Sequence, residues 1–238
     1  GKGIRTGARD ALLSDEATAA TKATVFGFHR SMDTLGAVLG PALALVYLYF
    51  YPEDYINLFL LAFVPGVIAT FFTLLIKEKP KTFLPNSKKN AAGFFAFISF
   101  WKNSSPSYKK LLTGLLLFAL VNSSDVFLLL KMKESGIRDT LIIGLYIFYN
   151  LIYALIAYPV GRMADRFGFK KIFTAGLVLF ACVYTGFAFA QEVWLYALLL
   201  ALYGFYAAAT EGVAKAWISN IAGKTETATA IATYSGFQ

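Results

Sequence analysis

Six long apolar stretches of this chain are interrupted by only a few ionisable side chains, and those few are where chemistry would be done. Asp125 closes the polar run Asn122-Ser-Ser-Asp inside Leu111–Leu130. Glu211 and Lys215 lie within Trp194–Ile221, and His29, Arg30 and Asp33 lie within Thr24–Tyr51. Arg5, Arg9 and Asp10 sit among small residues in Gly1–Ala23. A charged group in hydrocarbon is costly and usually faces a bundle interior or a water-filled cavity. A carboxylate in such a place can hold a proton while the site is dry and release it when water enters. Asp125 and Glu211 therefore read as candidate proton carriers. The alternative for Asp125 is a structural hydrogen-bonding group near an outer gate. For Glu211 it is a static ion pair with Lys215, four positions on, with Glu first as helices favour. Arg30 and Asp33 are three apart and can pair along one helix face, and Arg5 and Arg9 are four apart and share a face.

Other chemistries find no support. His29 is the single histidine and has no Ser, Cys or Asp arrangement that would make it catalytic. It reads as lining a cavity or packing at a gate. Cys182 is the single cysteine, so the chain offers no internal disulfide and no paired metal thiolates. There is no Gly-x-x-x-x-Gly-Lys loop for direct ATP coupling and no zinc-ligand spacing. We therefore expect no enzyme activity, no metal and no cofactor.

The elements that position these residues are membrane spans. The chain has 238 residues, is 58% hydrophobic and has a mean hydropathy of +0.59. An α-helix needs about 20 apolar residues to cross a bilayer core. Six segments meet that length: Thr24–Tyr51, Tyr55–Ile76, Leu111–Leu130, Thr140–Gly161, Ile172–Gln191 and Trp194–Ile221. Gly1–Ala23 reads as a helix end and a loop, and Thr227–Gln238 as the start of a further span. With no initial Met and an apolar end at Gln238, a longer polypeptide is expected. On a continuous helix Asp125 would lie about 22 Å from Lys110, in the outer half. The formal charge of +8 is spread between apolar segments rather than gathered in one patch, which argues for membrane orientation and against nucleic acid. Lys77–Lys110 holds eight lysines and three prolines and is placed in the cytoplasm. Within it Ala91–Trp101 is apolar but too short to span, and reads as an interfacial helix. Tyr51-Pro-Glu-Asp54 is placed outside. So is Lys131–Asp139, although Lys131, Lys133 and Arg138 run against the positive-inside bias there.

Two motifs go further. Gly161-Arg-Met-Ala-Asp-Arg-Phe-Gly-Phe-Lys-Lys171 is charged, punctuated by glycine and flanked by uncharged spans. Gly161 and Gly168 would allow a tight backbone, Asp165 can meet a helix N-terminus or a neighbouring arginine, and Arg162, Arg166, Lys170 and Lys171 put the loop in the cytoplasm. Gly36-Ala-Val-Leu-Gly40-Pro41 clears a flat helix face and bends the helix. The first motif resembles the signature loop of the major facilitator superfamily, which follows the second and eighth helices of those transporters. The second resembles the fifth-helix motif of its antiporters, although Leu43, Ala44 and Leu45 stand where a final glycine pair would be expected.

The resemblance implies an all-α integral membrane fold: a twelve-helix bundle of two six-helix halves, incomplete here. Residues 1–76 would be the end of helix four with helices five and six. Residues 77–110 would be the central cytoplasmic loop, and residues 111–238 helices seven to ten with the start of eleven. The charges then fall on helices four, five, seven and ten, and six and nine carry none. In the superfamily, helices one, four, seven and ten surround the cavity. This implies a secondary transporter working by alternating access, with proton-coupled export of a small molecule favoured. The alternatives are proton-coupled uptake of a sugar, peptide or metabolite, or a non-transporting receptor or scaffold. Arg5, Arg9, Asp10, Arg30, Asp33 and Lys215 would be gate or cavity charges. His29, Asn122, Tyr149, Asn150 and Tyr153 would line the substrate cavity, although the tyrosines equally suit packing or interface anchoring. The expected partners are the bilayer, a small-molecule substrate, protons and the remaining helices of the same polypeptide. The expected location is the cell (inner) membrane, multi-pass, with 77–110 and 162–171 cytoplasmic.

A half-repeat accompanies the resemblance. Shifted by 205 positions, Gly7, Ala11, Ser14, Ala17, Ala23 and Thr24 fall on Gly212, Ala216, Ser219, Ala222, Ala228 and Thr229. Asp10 falls on Lys215, opposite charges at equivalent sites.

Overall fold

The computed structural model describes residues 2–75, 96–223 and 226–237. Among them the regular structure is helical: α1 (Lys2–Glu16), α2 (Lys22–Phe50), α3 (Tyr55–Leu74), α4 (Ala96–Asn103), α5 (Pro106–Val121), α6 (Asp125–Glu134), α7 (Asp139–Phe167), α8 (Phe169–Phe189), α9 (Val193–Ile221) and α10 (Thr227–Phe237). Six segments are long and apolar enough to cross a membrane: α2, α3, α5 with α6, α7, α8 and α9. They coincide with the six spans expected from the sequence. Residues 76–95 lie outside the described residues, and with them most of the lysine-rich loop and the first part of the expected interfacial segment. The described remainder of that segment is α4, where Phe100 meets Tyr108 edge-on at 5.3 Å.

Two compact bodies are present, Gly1–Gly36 with Phe95–Gln238, and Ala37–Phe94. In the first, α9 is the most enclosed helix and packs along α7 and α8. Small residues let these backbones approach, as helix packing in lipid requires. A Cβ on Gly176 of α8 would lie 3.0 Å from Ala209, and one on Gly204 of α9 would lie 3.2 Å from the Tyr149 carbonyl of α7. One core cluster centres on Tyr149, Tyr153, Tyr196, Tyr203 and Tyr206, and the other on Phe26, Tyr108, Leu112, Phe173 and Ile218.

The second body is the remainder of α2 with α3. Asp54 caps α3 through the Asn57 amide, and also accepts from the Tyr47 hydroxyl at 2.8 Å and the Asn57 side chain at 2.9 Å. Those donors, Asn57 first, hold the Asp54 carboxyl below its ordinary range. No described residue of α3 is buried, and beyond Asn57 in its first turn its side chains are apolar but for Thr70 and Thr73, whose hydroxyls bond back to the helix. Hydrocarbon is a favourable environment for such a surface.

Two expectations are corrected. The span at Leu111–Leu130 is not one helix: it breaks at Asn122–Ser124, between α5 and α6. Asn and Ser side chains offer the backbone hydrogen bonds that compete with a helix ladder, and three stand in succession here. The charged motif is not mainly a loop either. α7 runs on through Arg162 and Asp165 to Phe167, and the turn into α8 is Gly168 alone, at φ +98°. Only glycine adopts that conformation without steric cost.

Candidate functional site

At the break in the α5–α6 span, Asn122 ends α5 and Ser124 caps α6, leaving Asp125 as the first residue of α6. An acidic residue suits that position, because the helix dipole is positive there. Asp125 is held by two phenols. Tyr203 donates to Oδ1 at 2.6 Å, and Tyr149 to Oδ2 at a longer 3.4 Å. The Tyr206 hydroxyl donates to Asn122 Oδ1 at 3.0 Å, and Ser123 shares a 2.7 Å hydrogen bond with Tyr184. A cavity of about 510 Å³ opens beside these groups, lined by Ala119, Asn122, Ser123, Ser124, Asp125, Val126, Leu129 and Tyr146. The polar break thus places one carboxylate at the wall of a cavity and surrounds it with tyrosines from α7, α8 and α9.

From there the contacts run along α7. The Tyr149 ring lies 5.1 Å from Tyr203 and 6.3 Å from Tyr153, stacked on the latter. The Tyr153 hydroxyl accepts from Arg30 Nε of α2 at 2.6 Å. Arg30 also pairs with Glu211 of α9, and with Asp33 at 3.3 Å. The two carboxylates singled out in the sequence are therefore connected through Tyr149, Tyr153 and Arg30, with ring stacking rather than a hydrogen bond as the middle step. Asn150 does not join them. Its amide donates to the Tyr146 carbonyl one turn back on α7.

Below Arg30, α1 meets α9. Lys215 pairs with Asp10 at 2.8 Å, and Arg9 Nε reaches the other Asp10 oxygen at 3.2 Å. Asp10 is 1% exposed. Ser14 and Ser219 share a 2.6 Å hydrogen bond. Lys22 donates to the Ser219 carbonyl at 2.6 Å and to the Ser219 hydroxyl at 2.8 Å. His29 lines a small void of about 20 Å³ together with Arg9, Asp10, Arg30, Asp33, Glu211 and Lys215, enough room for about one water. The side chain of Arg5 lies outside the described residues.

This arrangement corrects the intrahelical pairing expected for Glu211 and Lys215. Each turns to a different helix, Glu211 to α2 and Lys215 to α1. Arg30 and Asp33 do pair as their spacing suggests. The half-repeat becomes physical here. Ser14 and Ser219, 205 positions apart, touch each other, and so do Asp10 and Lys215 at the same separation. Packing obeys the same exchange. Gly7 faces Ala232, and Gly212 faces Gly27, which is the pair obtained by moving each partner 205 positions. Contacts between repeat-mates are what an approximate two-fold axis between α1 and α9 would produce.

The charged motif seals the neighbouring contact between α2 and α7. Asp165 Oδ1 accepts from the Ala23 amide at 2.9 Å, and Oδ2 accepts from the Thr24 amide at 2.7 Å and the Thr24 hydroxyl at 2.6 Å. Of the two partners weighed for Asp165, the structure selects the helix N-terminus. Gly161 lies within α7 against Ala23 and Gly27, where a Cβ would collide with the Ala23 carbonyl. One turn further, Ser31 donates to the Ala154 carbonyl. A methyl group on Gly36 or Gly40 would meet nothing within 4 Å among the described residues. Sequence reasoning missed Tyr184, Tyr203, Tyr206 and Lys22. Tyr203 and Tyr206 lie three apart on a charged span, and that helical spacing was the available signal.

Comparison with known proteins fits this geometry. Residues 126–238 match the family model of the Major Facilitator Superfamily. Over 237 residues, 97% of this chain, the sequence is 32% identical to an uncharacterized MFS-type transporter of Methanocaldococcus jannaschii. The chain spans 57% of the length of that relative. No solved structure matches it. Six membrane-length helices, the sealed signature motif and the half-repeat agree with both sequence matches, and the chain belongs to the major facilitator superfamily.

Proposed function

We propose that the chain forms part of a secondary active transporter that exports a small molecule by alternating access, in exchange for protons. The observation that carries the reading is the Glu211–Arg30 pair between α9 and α2, connected through Tyr153 and Tyr149 to Asp125 at the cavity wall. A proton on Glu211 would remove its charge and weaken a contact between helices that must separate when this end opens. A proton on Asp125 would change the carboxylate that borders the cavity at the α5–α6 break. Coupling requires that protonation change either the binding of cargo or the balance between the two arrangements, and these two carboxylates are placed for one each. The export direction rests on the likeness of Gly36–Pro41 to the antiporter motif. The end that holds Asp165 and the Asp10–Lys215 pair is placed in the cytoplasm by the basic residues of the signature motif.

The test uses the complete protein in sealed vesicles with an imposed pH gradient. A panel of small organic cations, sugars and peptides is added, and proton movement is recorded for the parent, Asp125→Asn and Glu211→Gln. Substrate-driven proton release that either substitution abolishes supports the reading, and its direction distinguishes export from uptake. Substrate flux without proton movement would remove the coupling.

A further inference from the structure

We propose that the cleft between the end of α7 and the start of α2 binds the headgroup phosphate of an anionic phospholipid. The cleft measures about 710 Å³, and among its lining residues are Arg162, Arg166, Tyr158, Met163 and Phe167 of α7 and Thr24 of α2. Arg162 and Arg166 are four apart, so both guanidinium groups stand on one helix face. The carboxylate between them does not neutralise them. Both oxygens of Asp165 are occupied by the α2 N-terminus. Among the described residues no acidic side chain forms an ion pair with either arginine. Asp165 also lines the cleft, but its oxygens are turned to the α2 N-terminus, so the cleft presents two guanidinium groups without an acidic partner and keeps a net positive charge. Phosphate oxygens are the natural complement, since guanidinium binds them through paired, charge-assisted hydrogen bonds.

The depth of the cleft selects a lipid over a free anion. α7 begins at Asp139, and at 1.5 Å per residue Arg162 lies about 35 Å along it, just beyond a hydrocarbon core about 30 Å thick. The guanidinium groups then sit at headgroup level. Tyr158, one turn deeper, reaches the hydrocarbon boundary, where tyrosine is favoured. Met163 and Phe167 are exposed on the same stretch, and their apolar surface suits an acyl chain rather than a soluble ion. Lys170 and Lys171 follow at once and add positive potential. The cleft also spans the α2–α7 contact that Asp165 and the Gly27–Gly161 approach hold shut. A lipid bound there favours the closed arrangement of this end, because it touches both helices only while they stay together.

The experiment measures retention of spin-labelled phosphatidylglycerol relative to spin-labelled phosphatidylcholine by the complete protein in mixed bilayers, by electron paramagnetic resonance. Compared with the parent are Arg162→Gln/Arg166→Gln, Arg162→Lys/Arg166→Lys and Lys170→Gln/Lys171→Gln, each first matched to the parent by thermal unfolding. The glutamine pair at the arginines is expected to lower selectivity about tenfold, the order for two charges at a membrane surface. The arginine-to-lysine pair should give an intermediate loss, because charge remains but the fork geometry does not. The lysine pair at 170 and 171 should change it less than the arginine pair does, because the arginines line the cleft and these lysines are not among its lining residues. Unchanged selectivity in Arg162→Gln/Arg166→Gln overturns the proposal. Equal losses in the arginine and lysine pairs overturn it too, since the attraction would then be diffuse. If millimolar inorganic phosphate or glycerol phosphate displaces the labelled lipid, the site takes free anions and the lipid occupant is wrong.

Discussion

Exchanging the charges of Asp10 and Lys215 tests the two-fold relation where it is easiest to break. Asp10 is 1% exposed and its pair with Lys215 measures 2.8 Å. Removing one partner of a buried pair typically costs about 3–5 kcal/mol. Here Lys215 is partly exposed and Arg9 remains 3.2 Å from Asp10, so about 2 kcal/mol is expected for Lys215→Gln and more for Lys215→Asp. The exchange Asp10→Lys/Lys215→Asp rebuilds the pair with its polarity reversed. Its new cost is a lysine next to Arg9, whose side chain is 44% exposed and free to turn to water, so about 1 kcal/mol or less. The coupling energy of the cycle should therefore exceed about 1.4 kcal/mol, a tenfold effect. Closure is read by oxidative cross-linking of Ser14→Cys/Ser219→Cys in a Cys182→Ser background, since those two hydroxyls lie 2.6 Å apart. The parent and the exchange should cross-link at similar rates, and Lys215→Asp at least about tenfold more slowly. An exchange no faster than Lys215→Asp would refute equivalence of the two positions. Single variants as fast as the parent would refute any role for the pair in closure.

Gly161→Ala places a methyl against the Ala23 carbonyl, and the clash outweighs the gain in helix propensity of about 1 kcal/mol. Its thermal midpoint should fall, while Gly36→Ala, with open space around it, should hold or rise. A fall in Gly36→Ala of the same size would mean that the Gly36 face is packed in the complete protein. Asp165→Asn leaves one carbonyl acceptor for the Ala23 and Thr24 amides, and should cost about 1 kcal/mol of closed-state stability by the same cross-linking assay. Tyr203→Phe removes the 2.6 Å bond to Asp125 and should alter the pH profile of substrate-driven proton release. Tyr196→Phe, which loses a bond to the Ala190 carbonyl instead, should lower thermal stability and leave that profile in place.

The spans were legible because length and apolarity decide them, and lipid leaves a backbone few alternatives to the helix. The motif at Gly161–Lys171 was legible as an identity but not as a shape. Charge and glycine suggest a loop, yet a helix of 29 residues outruns the hydrocarbon by about 13 Å and can carry Arg162 and Arg166 outside it. Gly161 was then free to serve packing, and the turn fell to Gly168. The polar run at Asn122 was visible, but whether it would bend, fray or break the span depended on which partners its side chains found. Tyr203, Tyr206 and Tyr184 supply them, from helices remote in sequence. The ionic pairing was the least legible part. Spacing rules score partners on one helix, and so favour Glu211 with Lys215. They carry no information about Arg30 or Asp10, which only the packed bundle brings within reach.

On the proposed function, those cross-helix partners would give Asp125 and Glu211 different tasks, and the difference can be measured without knowing the cargo. Around the small void at the α1–α2–α9 junction stand Arg9, Arg30 and Lys215 against Asp10, Asp33 and Glu211, a balanced set that also includes His29. Neutralising Glu211 leaves Arg30 with Asp33 and the Tyr153 hydroxyl on one side and no partner on α9. Both members of the lost pair are more than one-third exposed, so the loss is on the order of 1 kcal/mol, about fivefold in the open-to-closed ratio. Asp125 has its phenol partners on α7 and α9, and neutralising it changes no ion pair between α2 and α9. In cargo-free vesicles Glu211→Gln should therefore slow the Ser14→Cys/Ser219→Cys cross-link about fivefold, while Asp125→Asn leaves its rate unchanged. Equal slowing by both would place Asp125 in the gate and remove the division of labour. Slowing by Asp125→Asn alone would reverse it.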